Sequence, residues 1–219
     1  MIKAVLFDMD GLMVDTESLA TEAWIASAKK QNFEMTVEET LYVLGFARKS
    51  IYEFWQDYYK DRPEIDATKL TDSHYEYIES VLFGEGPKKM PYVEELLIYL
   101  KENNYKIAVA SSSDIDHIEN NMEKTNLRKY IDKLASGEEV PQGKPAPDVF
   151  LLAAERLGVK PEECLVLEDS KYGLMAAKSA GMTAIMVPDM FKVDDEAREL
   201  ADKIVDNLWQ VKNFLEENN

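Results

Sequence analysis

The chain has 219 residues, of which 46% are hydrophobic and 31% are charged, and its formal net charge at pH 7 is −17. This composition is typical of a folded globular protein and excludes a largely disordered chain. The acidic balance argues against a nucleic-acid or membrane partner, because anionic surfaces are bound by clustered Lys and Arg. We therefore expect an anionic ligand to be held by a few local groups.

The sequence also bears on the location of the protein, on its cysteine and on its oligomeric state. No apolar run reaches the length of a membrane span, and the N-terminus leads directly into an apolar strand with no signal peptide before it. We therefore expect a cytoplasmic protein. The single cysteine, Cys164, lies in an apolar run, which favours a buried core residue over a nucleophile. The sequence leaves the oligomeric state open, with a monomer favoured.

The first predicted strand ends in two carboxylates. Asp8 and Asp10 follow an apolar run and are spaced i, i+2, so on an extended segment they share one face. Gly11 then permits a tight turn. Like charges this close require a metal ion, a shared proton or both. A solvated strand end with acidic turn residues is the alternative, and the apolar strand makes it the weaker one.

Residues 16–83 show helical periodicity with no intervening strand. Helices are predicted at 17–31, from Thr36 with Glu39 completing a capping box, around Ile51 to Tyr59, and at 70–83, and Gly45 is expected to end the second. Four such helices form a small bundle whose aromatic stripe is its core. The sequence from Gly84 to Pro87 is typical of a linker.

From residue 91 helices alternate with strands. The pattern predicts helices at 92–103, 114–124, 148–157 and 171–180, and strands at 106–110, 133–135, 164–167 and 183–187. Apolar strands separated by helices indicate a parallel sheet covered on both faces, which the first strand should join. The fold class is therefore α/β, a Rossmann-like parallel sheet formed by residues 1–15 and 84–219, with a four-helix domain at 16–83.

Polar residues follow the predicted strands at the edge where parallel sheets bind ligands. The strand at 106–110 leads to Ser111, Ser112 and Ser113, which suit a phosphate group. The strand at 164–167 leads to Glu168 and Asp169, and Lys144 lies in a loop between Gly143 and Pro145. Hard oxygen ligands in an acidic pocket favour Mg²⁺ completed by a substrate phosphate.

Each of these elements also has a purely structural explanation. The serines can cap a helix, with Ser113 and Asp116 as a capping pair, and Glu168, Asp169 and Ser170 can cap the next one. A Gly-Lys-Pro sequence is weak evidence by itself. All of them nevertheless occur in order at strand ends or in adjoining loops, and together they supply the groups that a metal-assisted phosphoryl transfer requires.

The same motifs resemble those of the haloacid dehalogenase superfamily. They are DMDG at 8–11, Ser111, GKPAPD at 143–148 and LEDS at 167–170, and the helical segment after Asp15-Thr16-Glu17 resembles the β-phosphoglucomutase and small-molecule phosphatase branch. The resemblance implies that Asp8 is the nucleophile and Asp10 the general acid and base. It implies that Ser111, with Ser112 beside it, and Lys144 bind the phosphoryl group. It further implies that Asp8, the Asp10 carbonyl and Asp169 hold Mg²⁺, and that Glu168 is a ligand or an outer-sphere acid.

The resemblance extends to the helical segment, which would close over the site as a cap. The sequence from Gly45 to Arg48 resembles a loop by which β-phosphoglucomutases grip a second phosphate, and Trp24 also has a counterpart there. Thr16, Trp24 and Arg48 are therefore candidate substrate-binding residues, although Arg48 can equally be a solvated surface charge.

Two departures from that pattern count against a mutase. Ala20 stands where the branch has a histidine, and residues 70–83 contain no Lys. We therefore expect a Mg²⁺-dependent phosphatase acting on a small phosphorylated metabolite or sugar phosphate through an aspartyl phosphate. A β-phosphoglucomutase is the first alternative, and a non-catalytic protein that binds phosphorylated metabolites is the second.

Overall fold

The computed structural model describes residues 1–44, 46, 48–190 and 193–218. The chain folds into two compact units, one that combines Met1–Asp15 with Lys88–Asn219 and one that comprises Thr16–Pro87. Of the predicted cap loop and helix break, Gly45 and Ala47 lie outside the described residues.

The unit at Thr16–Pro87 is helical in its described residues. Its α-helices are α1 (Thr16–Lys30), α2 (Val37–Thr40), α3 (Arg48–Tyr58) and α4 (Ala67–Phe83), and a 3₁₀ turn at Leu41–Val43 follows α2. The capping box predicted at Thr36 and Glu39 is confirmed, since each side chain accepts a hydrogen bond from the other's backbone N–H. Helix α4 begins earlier than predicted because the Asp66 carboxylate caps the Lys69 N–H.

The core of this helical unit is aromatic. Trp24 of α1 and Trp55 of α3 are buried and their ring centroids lie 5.4 Å apart. Leu70 of α4 and Tyr59, which follows α3, complete the same buried cluster. Of the aromatic stripe predicted as bundle core, Trp55 and Tyr59 are buried, Phe54 is partly buried and Tyr58 is exposed. Each large apolar side chain that is fully buried contributes about 1.5–3 kcal/mol.

The other unit is built on one parallel sheet. Its strands are β1 (Ala4–Phe7), β2 (Lys106–Ser111), β3 (Lys133–Ser136), β4 (Cys164–Glu168), β5 (Thr183–Met186) and β6 (Lys203–Ile204), in the spatial order β3-β2-β1-β4-β5-β6. This confirms the α/β fold class. Strand β6 was not predicted, because two residues are too short to show a pattern.

Helices cover both faces of the sheet. They are α5 (Val93–Glu102), α6 (Ile115–Lys124), α7 (Asp148–Leu157), α8 (Lys171–Ser179), α9 (Asp195–Leu200) and α10 (Trp209–Asn218). Val5 and Phe7 belong to one buried cluster with α5, α6 and α10, while Ala4 and Leu6 belong to another with α7 and α8. Alternate residues of β1 thus face opposite layers, as a central strand requires.

Cys164 is buried in β4, as predicted for a core residue. Within the described ranges, no helix has both the length and the apolar character needed to cross a membrane.

Candidate active site

The first strand delivers its two carboxylates to the carboxyl edge of the sheet. The Asp8 N–H donates to the Leu167 carbonyl at 3.0 Å, which ties the end of β1 to β4. Gly11 has φ +76°, so the chain turns sharply directly after Asp10. Strand β1 lies between β2 and β4, where the connections diverge to the two halves of the sheet. Ligands of open parallel sheets bind at such a point.

Lys144 forms a buried ion cluster with two of the predicted acids. Its Nζ forms a salt bridge with Asp8 Oδ1 and another, at 2.6 Å, with Glu168 Oε1. The Lys144 side chain is only 8% exposed, so these ion pairs are largely shielded from water. The ammonium also lies 4.8 Å from the centre of the Phe150 ring. The loop between β3 and α7 therefore aims one positive charge at the end of β1.

Burial and charge shift the pKa values in this cluster. Burial raises the pKa of Asp8 to about 8, the Lys144 ammonium opposes that rise, and the Glu168 and Asp10 carboxylates add to it. Burial would lower the pKa of Lys144, but the carboxylates of Asp8 and Glu168 outweigh it and the pKa is raised. Lys144 is thus an ammonium, and Asp8 needs more positive charge to be fully ionised at neutral pH.

Glu168 is fully buried and held by protein groups on both of its oxygens. Oε1 accepts from Lys144, and Oε2 accepts from the Ser170 N–H at 3.1 Å and the Ser170 hydroxyl at 2.9 Å. Helix α8 packs against this carboxylate so closely that a Cβ on Gly173 would lie 1.8 Å from it. A glycine is therefore required there, and Glu168 is well placed to orient Lys144.

Three buried carboxylates could hold a metal ion. Asp8, Glu168 and Asp169 each offer an oxygen within 4.8 Å of the others. A Cβ on Gly11 would lie 2.6 Å from Asp169 Oδ2, so the glycine lets that carboxylate approach the turn after Asp10. Lys144 offsets only part of the negative charge. Buried carboxylate oxygens with uncompensated charge fit a divalent cation.

Two serines at the end of β2 and in the turn after it contact Asp10. The Ser113 hydroxyl lies 2.9 Å from Asp10 Oδ2 and the Ser111 hydroxyl 3.4 Å from it, and Ser111 Oγ also accepts the Ser113 N–H at 3.0 Å. Ser112 is exposed on the same turn. The sequence placed Ser113 with the other two serines as suited to a phosphate, but it did not predict the contact of Ser113 with Asp10.

The helix that follows these serines is not capped by Ser113, as the purely structural explanation of the serines would require. Asp114, not Ser113, is the N-cap of α6, and its carboxylate accepts the His117 N–H at 2.9 Å. The predicted Ser113–Asp116 capping pair is therefore wrong. Instead, the Ser113 hydroxyl is directed to Asp10, and the Ser113 carbonyl accepts the Ser136 hydroxyl at 2.7 Å. The end of β3 thus supports the serine turn.

The structure also locates the three candidates in the helical unit. Thr16 begins α1, and its Oγ1 is buried with no hydrogen-bond partner among the described residues. Trp24 is buried and stacks on His74 with centroids 3.7 Å apart. Arg48 begins α3, and its guanidinium lies 4.1 Å from the centre of the Tyr75 ring. Their role toward a substrate stays a prediction.

Comparison with known proteins identifies the family. The model of the haloacid dehalogenase-like hydrolases matches residues 5–187. The chain belongs to this family. That assignment confirms the resemblance drawn from the motifs at 8–11, 143–148 and 167–170, and with it the expectation of a hydrolase.

Individual relatives of this hydrolase cover nearly its whole length. It is 34% identical over 190 residues to a phosphorylated carbohydrates phosphatase of Thermotoga maritima, with 84% of each chain covered. It is 32% identical over 217 residues to hexitol phosphatase B of Escherichia coli, covering 96% of this chain and 94% of the relative. The crystal structure of a Thermotoga maritima protein that is provisionally named a β-phosphoglucomutase is also similar, with a TM-score of 0.83, 31% identity and 99% of both chains covered.

Proposed function

We propose that this hydrolase releases phosphate from small phosphorylated carbohydrates, with Asp8 as nucleophile and with Mg²⁺. The observation that carries the proposal is the buried salt bridge that Lys144 forms with both Asp8 and Glu168 at the carboxyl edge of the sheet. Such a cation beside a nucleophilic carboxylate suits an anionic phosphate ester. The phosphatases among the relatives, which include one for phosphorylated carbohydrates, support the same substrate class.

In the first step Asp8 attacks the phosphorus and the ester P–O bond breaks. Lys144 binds phosphate oxygens and reduces their repulsion with the Asp8 carboxylate, and the Ser111 hydroxyl adds a hydrogen bond. Asp10 protonates the departing alkoxide, so the substrate leaves as an alcohol. The product on the enzyme is a phosphoryl group on Asp8.

In the second step Asp10, now a carboxylate, takes a proton from a water molecule that attacks the phosphorus. The bond between phosphorus and the Asp8 oxygen breaks, and phosphate leaves. Asp8, Asp169 and the Asp10 carbonyl would hold Mg²⁺, which supplies positive charge that favours the ionised Asp8 and neutralises the phosphoryl oxygens. Glu168 keeps Lys144 in place and is not needed as a direct ligand.

We propose further that residues 16–83 act as a cap that closes over the bound substrate and excludes water from the chemical step. In this proposal Thr16, Trp24 and Arg48 contribute to substrate affinity.

A β-phosphoglucomutase is the second candidate, favoured by the structural match that carries that provisional name. In a mutase, a sugar hydroxyl rather than water would accept the phosphoryl group from Asp8. Ala20 offers no titratable group and residues 70–83 contain no Lys, so this chain lacks two groups of the mutase branch. We therefore place hydrolysis first.

The test is a screen of phosphorylated sugars and polyols for phosphate release with Mg²⁺, run beside an assay that converts β-glucose 1-phosphate to glucose 6-phosphate. The proposal expects phosphate release that stops after chelation and in Asp8→Asn. Faster isomerisation than phosphate release would favour the mutase. Binding without turnover in either assay would indicate a non-catalytic phosphometabolite-binding protein.

A further inference from the structure

A cleft of about 450 Å³ in the α/β unit has a charge opposite to that of the protein as a whole. Four cationic side chains line it, those of Lys101, Lys106, Lys133 and Arg156, and Asp132 is the one acid among its described lining residues. In the whole chain, by contrast, 42 Asp and Glu residues outnumber 25 Lys and Arg residues. The cleft is therefore a local concentration of positive charge on an acidic protein.

The strand register explains why two of the lysines lie together. Lys106 is the first residue of β2, Lys133 is the first residue of β3, and Lys133 pairs with Ala108. Since Ala108 lies two residues after Lys106, both lysines project from the same face of the sheet. Ala108 packs in the buried cluster of that face together with α7, whose last residue is Leu157. The cleft thus forms where the beginnings of β2 and β3 meet the end of α7.

This cleft is separate from the candidate active site. The acids and serines of that site lie at the carboxyl ends of the strands, whereas the cleft lies at their amino ends. Strand β2 runs from Lys106 at the cleft to Ser111 at the site, a length of about 16 Å at about 3.3 Å per residue. None of the described lining residues takes part in the proposed hydrolysis.

Two of the four cations are already paired with carboxylates. Lys101 Nζ donates to Asp132 Oδ1 at 2.6 Å. The Arg156 guanidinium donates two hydrogen bonds to the Glu139 carboxylate, at 2.7 and 2.9 Å. These contacts compensate the charges of Lys101 and Arg156, so neither residue accounts for an excess of positive charge in the cleft.

The other two cations keep their charge uncompensated. Lys106 Nζ donates to the Leu157 carbonyl at 2.6 Å, which satisfies one N–H group but brings no full negative charge. Lys133 is exposed, and its side chain forms no ion pair in the part of the chain that the structure describes. Two ammonium groups without a carboxylate match the charge of one dianion.

The form of the cleft favours a phosphate group as that dianion. Phosphate concentrates its charge on one centre, which compact lysine ammonium groups from two strands can approach from different sides. A dicarboxylate spreads its charge along a carbon chain. Asn104, two residues after α5, adds a side-chain amide, while Tyr105 and Leu157 add apolar surface. The volume is within the 300–1,000 Å³ that is common for small-ligand sites, so an organic part also has room.

We propose that this cleft binds the dianionic phosphate group of a small metabolite and is a second anion site, separate from the site of hydrolysis. Lys106 and Lys133 are its charged binding residues. The inference goes beyond the proposed function and does not depend on it. Inorganic phosphate and phosphate esters share this chemistry, and the experiment distinguishes them.

Amide NMR spectra locate binding residue by residue, with metal ions chelated so that no ester is hydrolysed. The probes are inorganic phosphate, phenyl phosphate and succinate, at about pH 7.5, where phosphate groups are mainly dianionic. We expect saturable shifts of the Asn104, Tyr105 and Lys133 amides with both phosphates. The amides of Gly11 and Ser111 report separately on the candidate active site. A lower dissociation constant for phenyl phosphate would identify an ester as the ligand, and a constant no lower would identify inorganic phosphate.

The double variant Lys106→Gln/Lys133→Gln removes both uncompensated charges, and both side chains are exposed at strand ends, so the fold should persist. Lys29→Gln/Lys30→Gln is the matched control, because it changes the net charge equally at the exposed end of α1. We expect the cleft variant to bind phosphate at least about tenfold more weakly, the lower end for one hydrogen bond to a charged group. The control should bind phosphate as the wild type does.

Three results would overturn the inference. The first is the absence of saturable shifts at Asn104, Tyr105 and Lys133, including the case in which phosphate shifts only Gly11 and Ser111. The second is an equal loss of affinity in the two double variants, which would indicate a general effect of net charge. The third is succinate binding at these amides as tightly as phosphate. The hydrolysis assay tests the proposed function independently of these measurements, so either proposal can fail without the other.

Discussion

At the scale of single residues, the proton-transferring group of the proposed mechanism is held by side chains from neighbouring strands. Asp10 accepts from Ser113 at 2.9 Å, and the Ser113 carbonyl accepts from Ser136 at the end of β3. A carboxylate on a short turn has several rotamers, and these contacts select among them. Ser113 is thus a positioning residue for Asp10.

This predicts that Ser113→Ala lowers kcat by about tenfold, the lower end for a hydrogen bond to a charged group, with little change in KM. Ser113→Thr keeps the hydroxyl and should restore most of the rate. Steady-state kinetics with a sugar phosphate compares both variants with wild type. If Ser113→Ala raised KM and kept kcat, Ser113 would bind substrate instead of positioning Asp10.

The sequence predicted which residues of the candidate site lie close together better than it predicted the contacts between them. Asp8, Asp10, Lys144 and Asp169 could be selected because strand ends of a parallel sheet converge on one edge. The contacts of Glu168 could not be predicted, because the choice between Lys144 and a metal ion depends on side-chain packing across β4 and α8.

At the scale of elements, α8 shapes the site through one glycine. The helix begins at Lys171 directly after the site acids, and its N-cap Ser170 bonds both Glu168 and the Gly173 N–H. The N-terminal end of a helix also stabilises a nearby carboxylate. Gly173 allows this approach because it has no side chain.

We therefore predict that Gly173→Ala displaces the Glu168 carboxylate and destabilises the protein by about 2–4 kcal/mol, because the added methyl group overpacks against a buried charged group. Gly143→Ala is the matched control, because a Cβ there would meet nothing within 4 Å, and its unfolding free energy should stay within about 0.5 kcal/mol of wild type. Denaturant unfolding measures both. Equal stability of the two variants would contradict the account of α8.

The helical unit supplies a prediction on pH. The pKa of His74 falls from 6.5 to about 3 because the ring is buried. Below pH 6.5 the unfolded chain binds a proton that the folded chain refuses, so stability falls as the pH drops from about 6.5 towards 3, by up to about 1.4 kcal/mol per pH unit.

His74→Phe should remove this contribution. Its unfolding midpoint should fall less steeply between pH 6.5 and 4 than that of wild type, and Tyr59→Phe should keep the wild-type slope. Parallel slopes in His74→Phe and wild type would show that His74 is protonated or exposed in the folded protein.

Elements that the sequence analysis missed share a physical cause. Strand β6 has two residues, and α9 has six with a single buried side chain, Ala197. Neither is long enough for periodicity to emerge. Helix α10 was also missed, because its C-terminal residues are polar and are typical of an unstructured tail. The buried pair Val211 and Leu215, at i, i+4 spacing, was the signal that could have predicted it.

At the scale of the whole molecule, a chain of net charge −17 is proposed to act on an anion. Long-range electrostatics therefore oppose binding, and affinity must come from local groups. Lys144 supplies positive charge at the core, and in the proposed mechanism a divalent cation held by Asp8 and Asp169 would add to it. The acidic composition therefore argues against a nucleic-acid partner without arguing against a small phosphate ester.

The central claim is that Asp8 carries the phosphoryl group. The most direct measurement is an acid-quenched reaction of Asp10→Asn with acetyl phosphate and Mg²⁺, followed by peptide mass spectrometry. Acetate needs no protonation to leave, and the variant lacks the base for the second step, so the intermediate should accumulate. The account predicts one phosphoryl group on the peptide that contains Asp8. This group should not form when Mg²⁺ is chelated before the reaction, or when Asp8 is also replaced by Asn. A phosphoryl group on another residue, or phosphate release by Asp8→Asn at the wild-type rate, would contradict it.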